Sequence, residues 1–107
     1  MLTASIDTPA LRKKRHLRVS FGLEQPENQG LTLDLSETGA FICTRQMFDP
    51  GLKLRMLIET PMGNLALEGR VVWICDENNL SRSPHEPGIG VQWVATDDQY
   101  MDVFNMI

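Results

Sequence analysis

The feature that most constrains the fold is a two-residue hydrophobic alternation that recurs along the chain and is cut by turn clusters. Leu17, Val19, Phe21 and Leu23 fall on one face, with Arg18, Ser20 and Gly22 on the other, as in a half-buried strand. Gln25-Pro26-Glu27-Asn28-Gln29-Gly30 reads as a turn. A second strand follows, with Leu31, Leu33 and Leu35 inward and Thr32, Asp34 and Ser36 outward. Glu37-Thr38-Gly39 breaks it, and Ala40 to Thr44 reads as a third. After the turn Asp49-Pro50-Gly51, residues Leu52, Leu54, Met56 and Ile58 alternate through a fourth. Thr60-Pro61-Met62-Gly63-Asn64 is a hairpin connection to a long fifth strand, Leu65 to Cys75, where Gly69 marks a bulge or bend. The polar stretch Asp76 to Pro87 reads as a loop, and Gly88 to Val94 as the sixth strand.

Only the last element changes period. Thr96 and Gln99 have the spacing of a capping box, and Asp97 and Asp98 favour a helix N-terminus. Tyr100, Val103, Phe104 and Ile107 then form one apolar stripe. Six strands without intervening helices predict a mainly all-β fold, an antiparallel barrel or sandwich, with a short C-terminal helix against it. A length of 107 residues suits one domain, and 42% hydrophobic with 22% charged residues is ordinary for a globular protein. No apolar run approaches the roughly 20 residues of a membrane span. The N-terminus lacks the basic start and apolar core of a signal peptide. Cys43 and Cys75 read as reduced thiols of a cytoplasmic protein.

The net charge of -4 conceals an asymmetry. Residues 1–20 hold Arg12, Lys13, Lys14, Arg15 and Arg18 against the single acid Asp7, a local charge of +4. Residues 21–107 hold Arg45, Lys53, Arg55, Arg70 and Arg82 against thirteen acids, a charge of -8. An acidic body argues against binding a nucleic acid polymer, which needs a broad basic surface. A concentrated basic segment suits one compact anion; its duller reading is a solvated tail.

Two segments become informative together. The first is Arg12-Lys13-Lys14-Arg15-His16-Leu17-Arg18, leading into the first strand. The second is Asp34-Leu35-Ser36-Glu37-Thr38-Gly39, a D-x-S-x-x-G string that ends the second. The period of a strand puts Asp34 and Ser36 on one outward face, and Gly39 permits close backbone approach. A carboxylate, a hydroxyl and a glycine beside a basic segment suit a guanine nucleotide. Arginine can grip the O6/N7 edge, a carboxylate can accept from the opposite edge, and cations neutralise phosphate.

These residues resemble the PilZ family of bacterial cyclic di-GMP receptors, whose signature is R-x-x-x-R in an N-terminal loop followed by D/N-x-S-x-x-G. The second motif matches fully as Asp34, Ser36 and Gly39; the first ends at Arg18 and begins at Lys14, a lysine where the family has arginine. Lysine keeps the charge and loses the planar fork, and Arg12 or Arg15 can compensate. The resemblance runs from about Arg12 to Val94. It implies a six-stranded PilZ-like β-barrel in a single domain over residues 12–107, with a basic ligand loop at 12–18, the barrel at 17–95 and the helix at 96–107. Residues 1–11, aperiodic and containing Pro9, read as a flexible lead-in. The ligand-binding residues it implies are Lys13, Lys14, Arg15, Arg18, Asp34, Ser36 and Gly39, with no cofactor, metal or catalytic residue.

Several duller readings stand beside these. Asp34 and Ser36 can be strand-end turn residues. Trp93 alternates with Ile89 and Val91 and reads as core, whereas a bulge at Gly69 leaves the face of Trp73 undecided. His16 and His85 lie in expected loops, too far from the cysteines for metal-site spacing and without a nucleophile–base constellation. The expected function is thus a freestanding, non-enzymatic cyclic di-GMP receptor. Its basic loop, held extended by like charges, would order on ligand and signal to a separate, unidentified effector protein. No membrane or nucleic-acid polymer is expected as a partner. The alternative is a PilZ-like interaction module with weak or no nucleotide affinity.

Overall fold

The alternation becomes seven strands and one helix among the described residues of a computed structural model, which covers 12–75, 87–96 and 98–107. The elements are β1 (Arg12–Lys13), β2 (Arg18–Gly22), β3 (Asn28–Ser36), β4 (Gly39–Cys43), β5 (Lys53–Thr60), β6 (Gly63–Cys75), β7 (Gly88–Ala95) and α1 (Tyr100–Met106). Every pairing is antiparallel, and six strands close in the ring order β3-β2-β5-β6-β7-β4, with β4 returning to β3. The expected six-stranded barrel with a short C-terminal helix is the observed fold. Closure leaves the six long strands without a free edge, and inward side chains fill the interior. Val19, Phe21, Ile42, Leu54, Ile58 and Ile89 are wholly enclosed there, and α1 adds Tyr100, Val103 and Phe104 to the same core.

The β5–β6 hairpin follows the sequence pattern most closely. Its register runs from Lys53↔Arg70 to Thr60↔Gly63 without a shift, turning at Pro61 and Met62. Leu54, Met56, Ile58, Leu65 and Leu67 point inward. Leu52 does not join them, because it lies in the preceding turn, its N–H donating to the Asp49 carbonyl, and is exposed. Leu23 likewise departs from the expected inward face. β2 ends at Gly22, the chain bends through residues 23–25, and Leu23 emerges into solvent. The bend expected at Gly69 is present as a register shift between Glu68 and Gly69 against β7, and a second shift follows between Val71 and Trp73.

The largest correction concerns β3. The expected inward set Leu31, Leu33, Leu35 and outward set Thr32, Asp34, Ser36 do not hold, because the register against β4 shifts between Thr32 and Asp34. One extra residue, Leu33, reverses the phase of the strand. Leu31 is exposed, Thr32 is buried, and Leu35 returns to the core. The helix also starts later than the capping box implied. Gln99 occupies the N-cap position with no side-chain cap, and the apolar stripe on Tyr100, Val103 and Phe104 sets the helix instead. The lead-in 1–11, most of the loop Asp76 to Pro87, and Asp97 lie outside the described residues.

Candidate functional site

The basic segment is not a free loop. β1 pairs with β3 through Arg12↔Ser36 and Lys13↔Leu35, and β2 pairs farther along the same edge, starting at Arg18↔Leu31. Residues 12–22 are therefore one interrupted strand laid along β3. The interruption is bridged by Thr32, whose hydroxyl donates to the Arg15 carbonyl and accepts from the Leu17 N–H at 2.8 Å. This explains the burial of a threonine expected to face outward: the phase reversal at Leu33 turns it toward two backbone groups that the interruption leaves unpaired.

Three cations of the segment have partners that offset their mutual repulsion. Arg12 makes a 2.6 Å ion pair with Asp34, whose side chain is 18% exposed. Lys13 Nζ donates to the Phe104 carbonyl at 2.5 Å and sits 4.6 Å above the Phe104 ring. Arg15 donates to the Ile107 carbonyl at 3.1 Å. Lys13 and Arg15 thus satisfy carbonyls at the C-terminal end of α1, where the helix dipole favours positive charge. The expectation of an extended segment held apart by its charges is corrected by these contacts.

Ser36 is also inside, not beside Asp34 on the surface. Its hydroxyl accepts from the N–H groups of Thr38 and Gly39 at 3.2 and 3.1 Å, which closes the turn from β3 into β4. Its carbonyl accepts from the Tyr100 hydroxyl at 2.6 Å, tying that turn to α1. Burial pushes the Tyr100 phenol up to about 12, and the neighbouring Trp93 indole N–H offsets part of the rise. That indole nitrogen is buried and makes no hydrogen bond of good geometry among the described residues, so its influence is electrostatic. Gly39 fits because β4 and β7 approach closely: a Cβ there would stand 2.1 Å from the Val91 carbonyl oxygen.

Beside this turn lies a cleft of about 480 Å³, bordered by Arg12, Gly39, Phe41, Trp73, Gly90 and Gln92. Trp73 stacks on Phe41 with ring centroids 5.0 Å apart and stays 43% exposed, so one aromatic face is presented outward. It lies over Gly90, where a Cβ would meet its indole nitrogen at 2.2 Å. Of the residues expected at the site, Gly39 borders the cleft and Asp34 is tied to its edge through Arg12, which the sequence offered only as a substitute for Lys14. Ser36 lies beneath them, and Lys13 and Arg15 point to the end of α1 instead. Lys14 is exposed, and Arg18 is exposed on β2 without lining the cleft. Phe41, Trp73, Gly90 and Gln92 were not expected there. The available signal was the pair of glycines in Gly88-Ile89-Gly90, which leave room for the aromatic rings of Phe41 and Trp73.

An anionic, planar ligand would find an arginine paired with a carboxylate, close backbone approach and an aromatic ring around one cleft. A PilZ domain model matches residues 10–105, and the chain belongs to that family. The Bacillus subtilis inhibitor of motility, MotI/DgrA, has a similar solved structure, with a TM-score of 0.74 and 15% sequence identity. The match covers 94% of this chain and 48% of that one, so the chain spans about half the length of that protein. At this identity the likeness is one of fold. A comparison with curated proteins gives no match.

Proposed function

We propose that this chain is a cyclic di-GMP receptor that signals as an adaptor, by contact with a separate effector protein rather than by catalysis. The observation that carries the reading is the Arg12–Asp34 ion pair at the border of a cleft of about 480 Å³ walled by Trp73 and Gly39. That size lies within the usual range of small-molecule sites. Asp34 would accept from the guanine N1–H and N2 donors, Trp73 would stack on a base, and the basic segment would meet the phosphates.

The same contacts suggest how binding becomes a signal. Lys13 is held by the neutral Phe104 carbonyl of α1, with Arg15 beside it at the helix end, and a phosphate carrying full charge would draw these cations away. Capture of the nucleotide by these cations would release the end of α1 and redraw the surface around it. In calorimetric titrations with cyclic di-GMP, Arg12→Ala and Asp34→Ala should each weaken binding at least tenfold, about 1.4 kcal/mol. Unchanged affinity in folded variants would overturn the residue roles.

A second reading is an interaction module without useful nucleotide affinity. It is favoured by Ser36, whose hydroxyl is already engaged inside the turn, and by the lysine at position 14. Absence of binding by the unaltered protein, with GTP and an oligonucleotide as controls, would select it.

A further inference from the structure

The body of the protein is acidic, yet three of its five cations gather on one outer face. Leu54, Met56, Leu65, Leu67 and Gly69 point inward on the β5–β6 hairpin, so the alternate positions project outward. Lys53 stands directly opposite Arg70, Arg55 opposite Glu68, and Leu57 opposite Ala66. Lys53 and Arg55 make no ion pair among the described residues, and Arg70 donates to the Gly51 carbonyl at 3.0 Å. Like charges facing each other across a strand pair are destabilising, and nothing in the packing of this hairpin requires them.

Next to the cations is an open cleft of about 460 Å³ bordered by Pro26, Arg55, Leu57, Ala66, Glu68 and Ala95. The outer face is therefore graded, with two cations at Lys53 and Arg70, an apolar step at Leu57 and Ala66, and an acid, Glu59, toward the hairpin tip. In the ring of six strands, β5 and β6 lie opposite β4 and β3. A ligand held in the cleft at the β3–β4 turn would reach β6 at Val72 and Trp73 and leave the hairpin face at Lys53, Leu57 and Ala66 uncovered.

We propose that the outer face of the β5–β6 hairpin is a docking surface for an acidic segment of a partner protein, its carboxylates on Lys53 and Arg70 and an apolar side chain in the adjoining cleft. Charge complementarity selects the occupant. Glu59 and Glu68 repel a uniform polyanion such as a nucleic acid strand, and they orient a segment that is acidic at one end only. From Lys53 to Leu57 the strand advances about 13 Å, which sets the separation between the acidic group and the apolar anchor. The surface does not depend on the nucleotide reading, although it offers that receptor a place to hold its effector.

The test follows backbone amide shifts by NMR while titrating an extended peptide with paired glutamates and a leucine four residues on. The shifts should concentrate on β5 and β6, and they should weaken with salt. Lys53→Glu/Arg70→Glu should reduce affinity about tenfold or more, with Lys53→Gln/Arg70→Gln intermediate. Both substituted side chains are exposed, so the fold should persist. Shifts absent from β5 and β6, or unaltered by the charge reversal, would overturn the proposal. So would an oligonucleotide that occupies the same amides more tightly than the peptide. Cyclic di-GMP is titrated in parallel. Peptide binding without nucleotide binding would support this surface while removing the receptor reading, and nucleotide binding without peptide binding would do the reverse.

Discussion

The β5–β6 hairpin and the β3–β4 turn occupy opposite walls of one barrel and follow different rules. In the hairpin, eight consecutive cross-strand pairs keep their register, and every interior position from Leu54 to Ile58 was readable from alternation. In the turn, one extra residue at Leu33 reverses the phase and a serine is enclosed, and in the cleft beside it, where β4, β7 and the far end of β6 meet, two aromatic rings crowd against glycines. Regular pairing concentrates energy in burial. The irregular wall trades some of that regularity for a cleft, an ion pair and a link to the helix, as expected where local rules yield to a site.

The contrast is sharpest under substitution. Leu54→Ala removes a wholly buried side chain from the regular wall and should cost about 2–5 kcal/mol in urea unfolding. Nucleotide affinity of the folded fraction should be unchanged. Gly39→Ala adds one methyl where the Val91 carbonyl oxygen is 2.1 Å away, and should cost about 1–3 kcal/mol through forced separation of β4 and β7. Because Gly39 borders the cleft, this smaller loss of stability should be accompanied by loss of cyclic di-GMP binding. Equal effects of the two variants on affinity, corrected for unfolding, would erase the distinction between the walls.

The link from the irregular wall to α1 gives a test with a pH signature. Tyr100→Phe deletes the hydroxyl that donates to the Ser36 carbonyl and should cost about 1–3 kcal/mol. The phenol titrates near 12 when folded, above its ordinary 10.0, so the folded state holds its proton more tightly than the unfolded chain. That stabilisation is complete below about pH 10 and is lost as pH rises toward 12. Tyr100→Phe should therefore be less stable than the parent at neutral pH and lose less stability over that window. Parallel losses for both proteins would show that the phenol is not protected by the fold.

What the sequence revealed divides along the same line. The strand positions, the mainly all-β class and the helix stripe were legible because burial imposes periods of two and 3.6 wherever an element is regular, whereas the barrel rather than a sandwich came from the family resemblance. Leu31, Thr32 and Ser36 were misread because a bulge leaves no mark in a leucine-threonine alternation that is apolar on either phase. The motif Asp34-Ser36-Gly39 could be recognised, but not that its serine closes a turn. Nor could alternation show Arg12, rather than Lys14, against Asp34, since that pairing depends on β1 aligning with the far half of β3. Trp73 was undecided for a related reason: two register shifts in β6 determine its face, and each is a tertiary event.

The smallest effect isolates the electrostatics behind the turn. Trp93 packs edge-on to Tyr100, with centroids 5.5 Å apart, and its indole nitrogen is buried without a hydrogen-bond partner among the described residues. Trp93→Phe keeps an aromatic ring there, loses some buried area and removes an unsatisfied donor. The two changes oppose one another, so stability should move by less than about 1.5 kcal/mol. The phenol should respond more clearly than the fold. Burial raises the Tyr100 pKa and the indole N–H, which favours the phenolate, partly counters it, so deleting the indole should push the titration higher still. The chain has a single tyrosine, which makes its ultraviolet ionisation signal unambiguous. A titration that moves downward in Trp93→Phe would mean that the indole mainly shields Tyr100 from water, leaving burial alone to couple α1 to the turn.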